Sequence, residues 1–81
     1  PESKVLYEAY TLKLAPDTRY SPDLARILPD NSIEFYEIKG RYTFAKALNK
    51  PKIAAAMFPH HRFFLASKTV NGWNVKQLMP E

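Results

Sequence analysis

Asp23, Glu37 and Lys39 are the residues of this chain whose types and spacing could do chemistry. They lie in Ser21-Pro22-Asp23 and, after thirteen intervening residues, in Glu37-Ile38-Lys39-Gly40. On a strand, side chains alternate between faces, so Ile33, Phe35, Glu37 and Lys39 would share one side. Residues two apart on that side are separated by roughly 6–7 Å at the backbone, so an acid and a lysine can reach one reacting group. Carboxylate oxygens suit Mg²⁺ or Mn²⁺. A lysine beside them puts positive charge where a phosphate ester gains negative charge during cleavage. The plainer alternative is a strand-end ion pair between Glu37 and Lys39, worth about 0–1 kcal/mol.

The elements that must position these residues are legible as patterns. Asn31-Ser32-Ile33-Glu34-Phe35-Tyr36 is rich in β-branched and aromatic types and follows the turn cluster Pro29-Asp30-Asn31, a strand signal. Leu24 to Leu28 and Ile33 to Lys39 are expected to pair as a hairpin around Pro29-Asp30-Asn31-Ser32. Val5 to Leu14 reads as a first strand, and Ala15 to Pro22 as a connection. Tyr42 to Phe58 is helical in composition, but Pro51 interrupts it; proline costs about 3 kcal/mol inside a helix and is favoured at its first position. The main helix is therefore expected from about Lys50 to Phe58, with Asn49 as N-cap, Pro59 as the stop and a looser turn before it. Arg62 to Ser67 and Trp73 to Leu78 read as final strands across Val70-Asn71-Gly72. The expected fold is α/β (α+β): a mixed twisted sheet of about five strands with one main helix, in the order β-β-β-α-β-β.

The constellation Pro22-Asp23 … Glu37-Ile38-Lys39 resembles the PD-(D/E)XK nuclease superfamily. The likeness extends over Leu14 to Asp23, Ile33 to Gly40 and Lys52 to Pro59, and roughly residues 5–78 can be laid on the pattern of small phage-encoded nucleases related to Holliday-junction resolvases. It implies a minimal restriction-endonuclease-like core and a Mg²⁺- or Mn²⁺-dependent DNA endonuclease, with Asp23, Glu37 and Lys39 catalytic. Asp23, Glu37 and the Ile38 backbone carbonyl would hold the metal. That core commonly opens with a helix that contributes another acid, whereas this chain opens on the first strand. Glu8 or a second subunit is then the candidate source of a further ligand. The resemblance also implies a Holliday-junction-like or other branched DNA as substrate, with a linear duplex or a flap as the alternatives, and the cytoplasm of a phage's host cell as location.

Composition sets the bounds. Eighty-one residues make a single domain, 1–81, which buries only about 60–65% of its unfolded surface. A domain so small gains burial from a partner, which favours a homodimer. With 46% apolar and 25% charged residues the chain is globular rather than disordered. The absence of cysteine excludes disulfides and thiolate metal sites, and is compatible with a reducing cytosol. No apolar run approaches the roughly 20 residues that span a bilayer, and no signal-peptide pattern is present. Pro1 in place of an initiating Met is expected of a processed or trimmed chain. Net charge is +4, and its distribution says more than its size. Lys39, Arg41, Lys46, Lys50, Lys52, Arg62, Lys68 and Lys76 fall in a stretch with no Asp or Glu, a surface suited to a polyanion.

Ser21, Arg41, Lys46, Lys50 and Lys52 are the candidate DNA contacts. Ser21 either bonds the local backbone or assists at the site. Lys50 and Lys52 stand at a helix start, where the dipole disfavours cations, so phosphate contact is a fair reading. Glu8 is either a solvated strand-face charge or a third metal-site acid. His60-His61 reads as a loop pair touching phosphate rather than a metal site, since adjacent side chains point apart. Trp73 packs in a core or dimer interface, or stacks on a base. Ala54-Ala55-Ala56 permits close approach of the helix to the sheet. Two other function classes compete: a non-catalytic DNA-binding module on a decayed nuclease fold, and a structural domain of a phage assembly.

Overall fold

Phe35 is the pivot on which the layers assemble. It is 2% exposed at the middle of β5 (Ile33–Lys39), the central strand of a five-stranded sheet. The computed structural model describes residues 3–39 and 49–80. Before β5 come β1 (Lys4–Tyr7), β2 (Leu12–Ala15), β3 (Thr18–Tyr20) and β4 (Leu24–Ile27); after it come α1 (Asn49–Met57), β6 (Arg62–Thr69) and β7 (Gly72–Gln77). The large sheet runs β1-β4-β5-β6-β7, and β2 and β3 form a separate antiparallel pair. All ladders are antiparallel except β5–β6, which is parallel because the chain crosses over through α1 between them.

The molecule is a small α+β domain, with a mixed five-stranded sheet and one helix among the described residues, as expected, but the order of its elements differs. Val5 to Leu14 is not one strand. The chain breaks after Tyr7, where Glu8 adopts a left-handed φ of 49° and donates its N–H to the Asp23 carbonyl at 3.0 Å. The supposed connection from Ala15 to Pro22 contains β3, which folds back on β2 across a turn at Pro16 and Asp17. The helix begins at Asn49 rather than after it, a one-residue difference within ordinary boundary variation. The looser turn expected before it lies outside the described residues.

One face of the sheet carries the core. Ala25, Phe35 and Phe63 sit in register across β4, β5 and β6, with the Phe35 and Phe63 rings stacked at 5.0 Å. Tyr20, Ala54, Ala55 and Leu78 close over them, so α1 and the β2–β3 pair share this side. Ala54 and Ala55 let the helix approach closely, and the ring of Pro51 is buried in the first turn, where a helix N–H has no partner anyway. The opposite face bears Tyr36 stacked on Phe64 at 5.0 Å, with Tyr7, Trp73 and Val75 exposed. There Glu34 is buried between Arg26, Arg62 and the Tyr36 hydroxyl. Thr69 pairs with Gly72 around a two-residue turn, and Gly72 has φ 135°, a conformation that requires glycine. No helix among the described residues is long and apolar enough to cross a membrane.

Candidate active site

Period-two alternation on β5 puts Glu37 and Lys39 on the core face, beyond Phe35 and toward the strand's end. There Lys39 Nζ lies 3.2 Å from Glu37 Oε2, with the two side chains only 20% and 16% exposed. Asp23 reaches the same place from the entry to β4. Its N–H donates to the Tyr36 carbonyl at 3.1 Å, and its Oδ2 accepts the Ile38 N–H at 2.8 Å. Asp23 therefore prolongs the β4–β5 pairing beyond Leu24↔Tyr36, using a side-chain oxygen where a backbone carbonyl would serve in a regular ladder. Two strands thus deliver two carboxylates and a lysine to one corner of the sheet.

A fourth group joins them from the small sheet. Tyr20, at the end of β3, donates its hydroxyl to Glu37 Oε1 at 3.0 Å from a ring that is 7% exposed. Burial first, then the neighbouring Glu37 carboxylate and, more weakly, Asp23, push the Tyr20 hydroxyl well above its ordinary value. Tyr20 is therefore a neutral donor. The sequence pattern did not single it out as a functional residue. Its signal would have been a tyrosine immediately before Ser-Pro-Asp, since buried phenols need a partner.

The other candidates divide. Ser21 is exposed, and its hydroxyl pairs with that of Thr11 at 3.0 Å; the partner it finds is neither the local backbone nor either acid. Glu8 is exposed and lies in a bend, not in a strand. Among the described residues no three His, Asp or Glu side chains gather to hold a metal ion, so Glu8 does not complete a triad with Asp23 and Glu37. Lys50 is exposed, whereas Lys52 is half-buried and lines a groove of about 240 Å³ with Leu65, Lys76 and Leu78. Leu65 is the register neighbour of both Glu37 and Lys76, which places this groove on the site's face of the sheet. Lys76 belongs to the basic half but was not expected at the site; its position two residues before buried Leu78 is the signal for its facing. Arg41 and Lys46 lie outside the described residues.

His61 is structural. Its Nδ1 accepts the Ile33 N–H at 3.0 Å, and its ring meets Phe35 edge-on at 5.9 Å; it anchors the start of the strand that carries Glu37. His60 is exposed. Trp73 is 55% exposed on the far face, under Lys68 Nζ at 5.3 Å, and is not in the core.

Hard oxygen donors fit Mg²⁺ or Mn²⁺, and Mg²⁺ commonly takes only one or two protein carboxylates. An ionised carboxylate has about four lone-pair sites, so the hydrogen bonds made by Asp23 and Glu37 leave capacity for a cation. No protein-family model, curated protein or solved structure matches this chain.

Proposed function

We propose that this protein is a metal-dependent DNA endonuclease of the PD-(D/E)XK type, hydrolysing phosphodiester bonds with Mg²⁺ or Mn²⁺. The observation that carries the reading is the convergence of Asp23, Glu37 and Lys39 on one strand end, with Asp23 fastened to the Ile38 N–H. Asp23 and Glu37 would hold the metal, with the Ile38 carbonyl as a further oxygen. A bound Mg²⁺ would supply Lewis acidity at the scissile phosphate. Lys39, paired with Glu37 in the resting site, would turn its ammonium to the phosphate and offset charge as it develops. Lys52 and Lys76 flank the approach along the groove through Leu65 and would hold the neighbouring backbone, with Lys50, Arg41 and Lys46 as further contacts in the basic half. Branched DNA is the favoured substrate and a homodimer the favoured assembly, acting in the cytoplasm of a phage's host cell.

A second reading rests on a specific observation. Both Glu37 oxygens already have protein partners, Tyr20 and Lys39, and no third acid gathers beside it among the described residues. Such a site suits a DNA-binding module that no longer turns over, whose affinity would fall steeply with salt. One experiment separates the two. Supercoiled plasmid and a synthetic four-way junction are incubated with Mg²⁺, Mn²⁺ or EDTA, beside the Glu37→Ala and Lys39→Ala proteins. Metal-dependent cutting abolished in both variants supports the nuclease. Salt-sensitive binding without cutting under either metal supports the module and refutes catalysis.

A further inference from the structure

We propose that Tyr20 is a positioning residue for the metal site, holding the Glu37 carboxylate in a fixed orientation through its hydroxyl; this rests on the nuclease reading. The geometry singles it out. Tyr20 Oη contacts Glu37 Oε1 while Lys39 contacts Oε2, so the carboxylate is gripped on both sides and its plane is set. The grip from Lys39 is released when that ammonium engages phosphate. The grip from Tyr20 persists, because its ring is locked in the core with Ala25, Phe35 and Ala54.

The choice of a phenol is chemically apt. Asp23, Glu37 and Lys39 together leave one negative charge in excess, which attracts a divalent cation. An arginine or lysine in place of Tyr20 would orient Glu37 equally well but cancel that charge. A neutral donor orients the acid and leaves the excess intact. The β2–β3 pair also acquires a role beyond packing, since β3 ends at Tyr20 and delivers it to the strand bearing Glu37.

A buried tyrosine hydroxyl could instead serve only to satisfy itself, and metal dependence separates the two roles. Mn²⁺ binding is measured by electron paramagnetic resonance, and Mn²⁺-dependent plasmid cleavage as a function of metal, for wild type, Tyr20→Phe, Glu37→Gln and the double variant. Phe keeps the ring and its packing, and thermal unfolding confirms the fold. Partners that orient a metal ligand typically contribute 10- to 100-fold in metal affinity. Tyr20→Phe is therefore expected to weaken Mn²⁺ binding and raise the activating concentration by about ten-fold, with the saturated rate within about three-fold of wild type. In the Glu37→Gln background the same change adds no further loss. A Tyr20→Phe protein that melts lower but binds Mn²⁺ like wild type overturns the positioning role while leaving the nuclease reading intact. Wild type that binds no Mn²⁺ and cuts no DNA overturns both.

Discussion

Asp23 does two jobs that substitution can separate: it would hold the metal, and it joins β4 to β5 through the Ile38 N–H. Asp23→Ala removes both. A hydrogen bond to a charged group contributes about 1.5–3 kcal/mol when buried. Asp23 is half-exposed, so solvent screening reduces this to about 1 kcal/mol. For a domain of this size that corresponds to a fall in melting temperature of about 4–8 °C. Asp23→Asn keeps an oxygen acceptor for the Ile38 N–H and loses only the charge, so its melting temperature should fall by less than about half as much. Both variants should lose metal-dependent cleavage by more than about a hundred-fold, since even the partners of metal ligands contribute up to that factor. The assays are thermal unfolding by circular dichroism and plasmid cleavage at several Mg²⁺ concentrations. Asp23→Asn cutting within ten-fold of wild type would refute the metal role, and Asp23→Ala melting with wild type would refute the strand latch.

Two further expectations concern the scaffold. Glu34 is shared by Arg26 at 3.3 Å, Arg62 at 3.2 Å and the Tyr36 hydroxyl at 3.1 Å. Both arginines are half-exposed, so Glu34→Ala should cost about 2 kcal/mol, mostly through the Tyr36 bond, and urea unfolding should show the gap from wild type narrowing in 1 M NaCl. Asp30 accepts the Ser32 hydroxyl at 2.6 Å and the Ser32 N–H at 2.9 Å, and these bonds hold its carboxyl below the usual carboxylate range. Its folded value is depressed, so its contribution to the β4–β5 turn is present above the ordinary value of about 4 and is lost as pH falls through the folded value. A carbon-detected NMR titration should find Asp30 protonating below the ordinary aspartate value, and Asp30→Asn should flatten the acid limb of the stability profile.

The grouping of Asp23, Glu37 and Lys39 at one strand end was largely legible because its logic is local. Period-two alternation alone puts Glu37 and Lys39 together, and the turn at Pro29 to Ser32 brings Asp23 back beside them. Pro51 and Asn71-Gly72 similarly marked the helix start and the last hairpin, since proline fixes its own φ and glycine admits a positive one. The errors fall where distant contacts decide. Val5 to Leu14 keeps a strand-like composition throughout, and only the bond from the Glu8 N–H to the Asp23 carbonyl shows why the chain turns there. The β2–β3 pair turns at Pro16-Asp17, and a proline–aspartate turn fits a plain connection as well as a hairpin until the strand partners are known. His61 acts on Ile33 from a distant part of the chain, and no local pattern encodes that.

The parallel β5–β6 ladder has a kinetic consequence. Tyr20, Asp23, Glu37 and Lys39 all precede the crossover, and the β4–β5 hairpin that joins the acids can close without it. The parallel pairing must wait for the chain beyond Lys39 to return through α1, a slower step because the loop it closes is long. The two acids thus meet while the corner is still wet, where their repulsion is heavily screened. Ala54 and Ala55, which share the finished core with Tyr20, belong to α1 and so to that crossover. Folding in this order spares the chain from bringing like charges together inside a finished core.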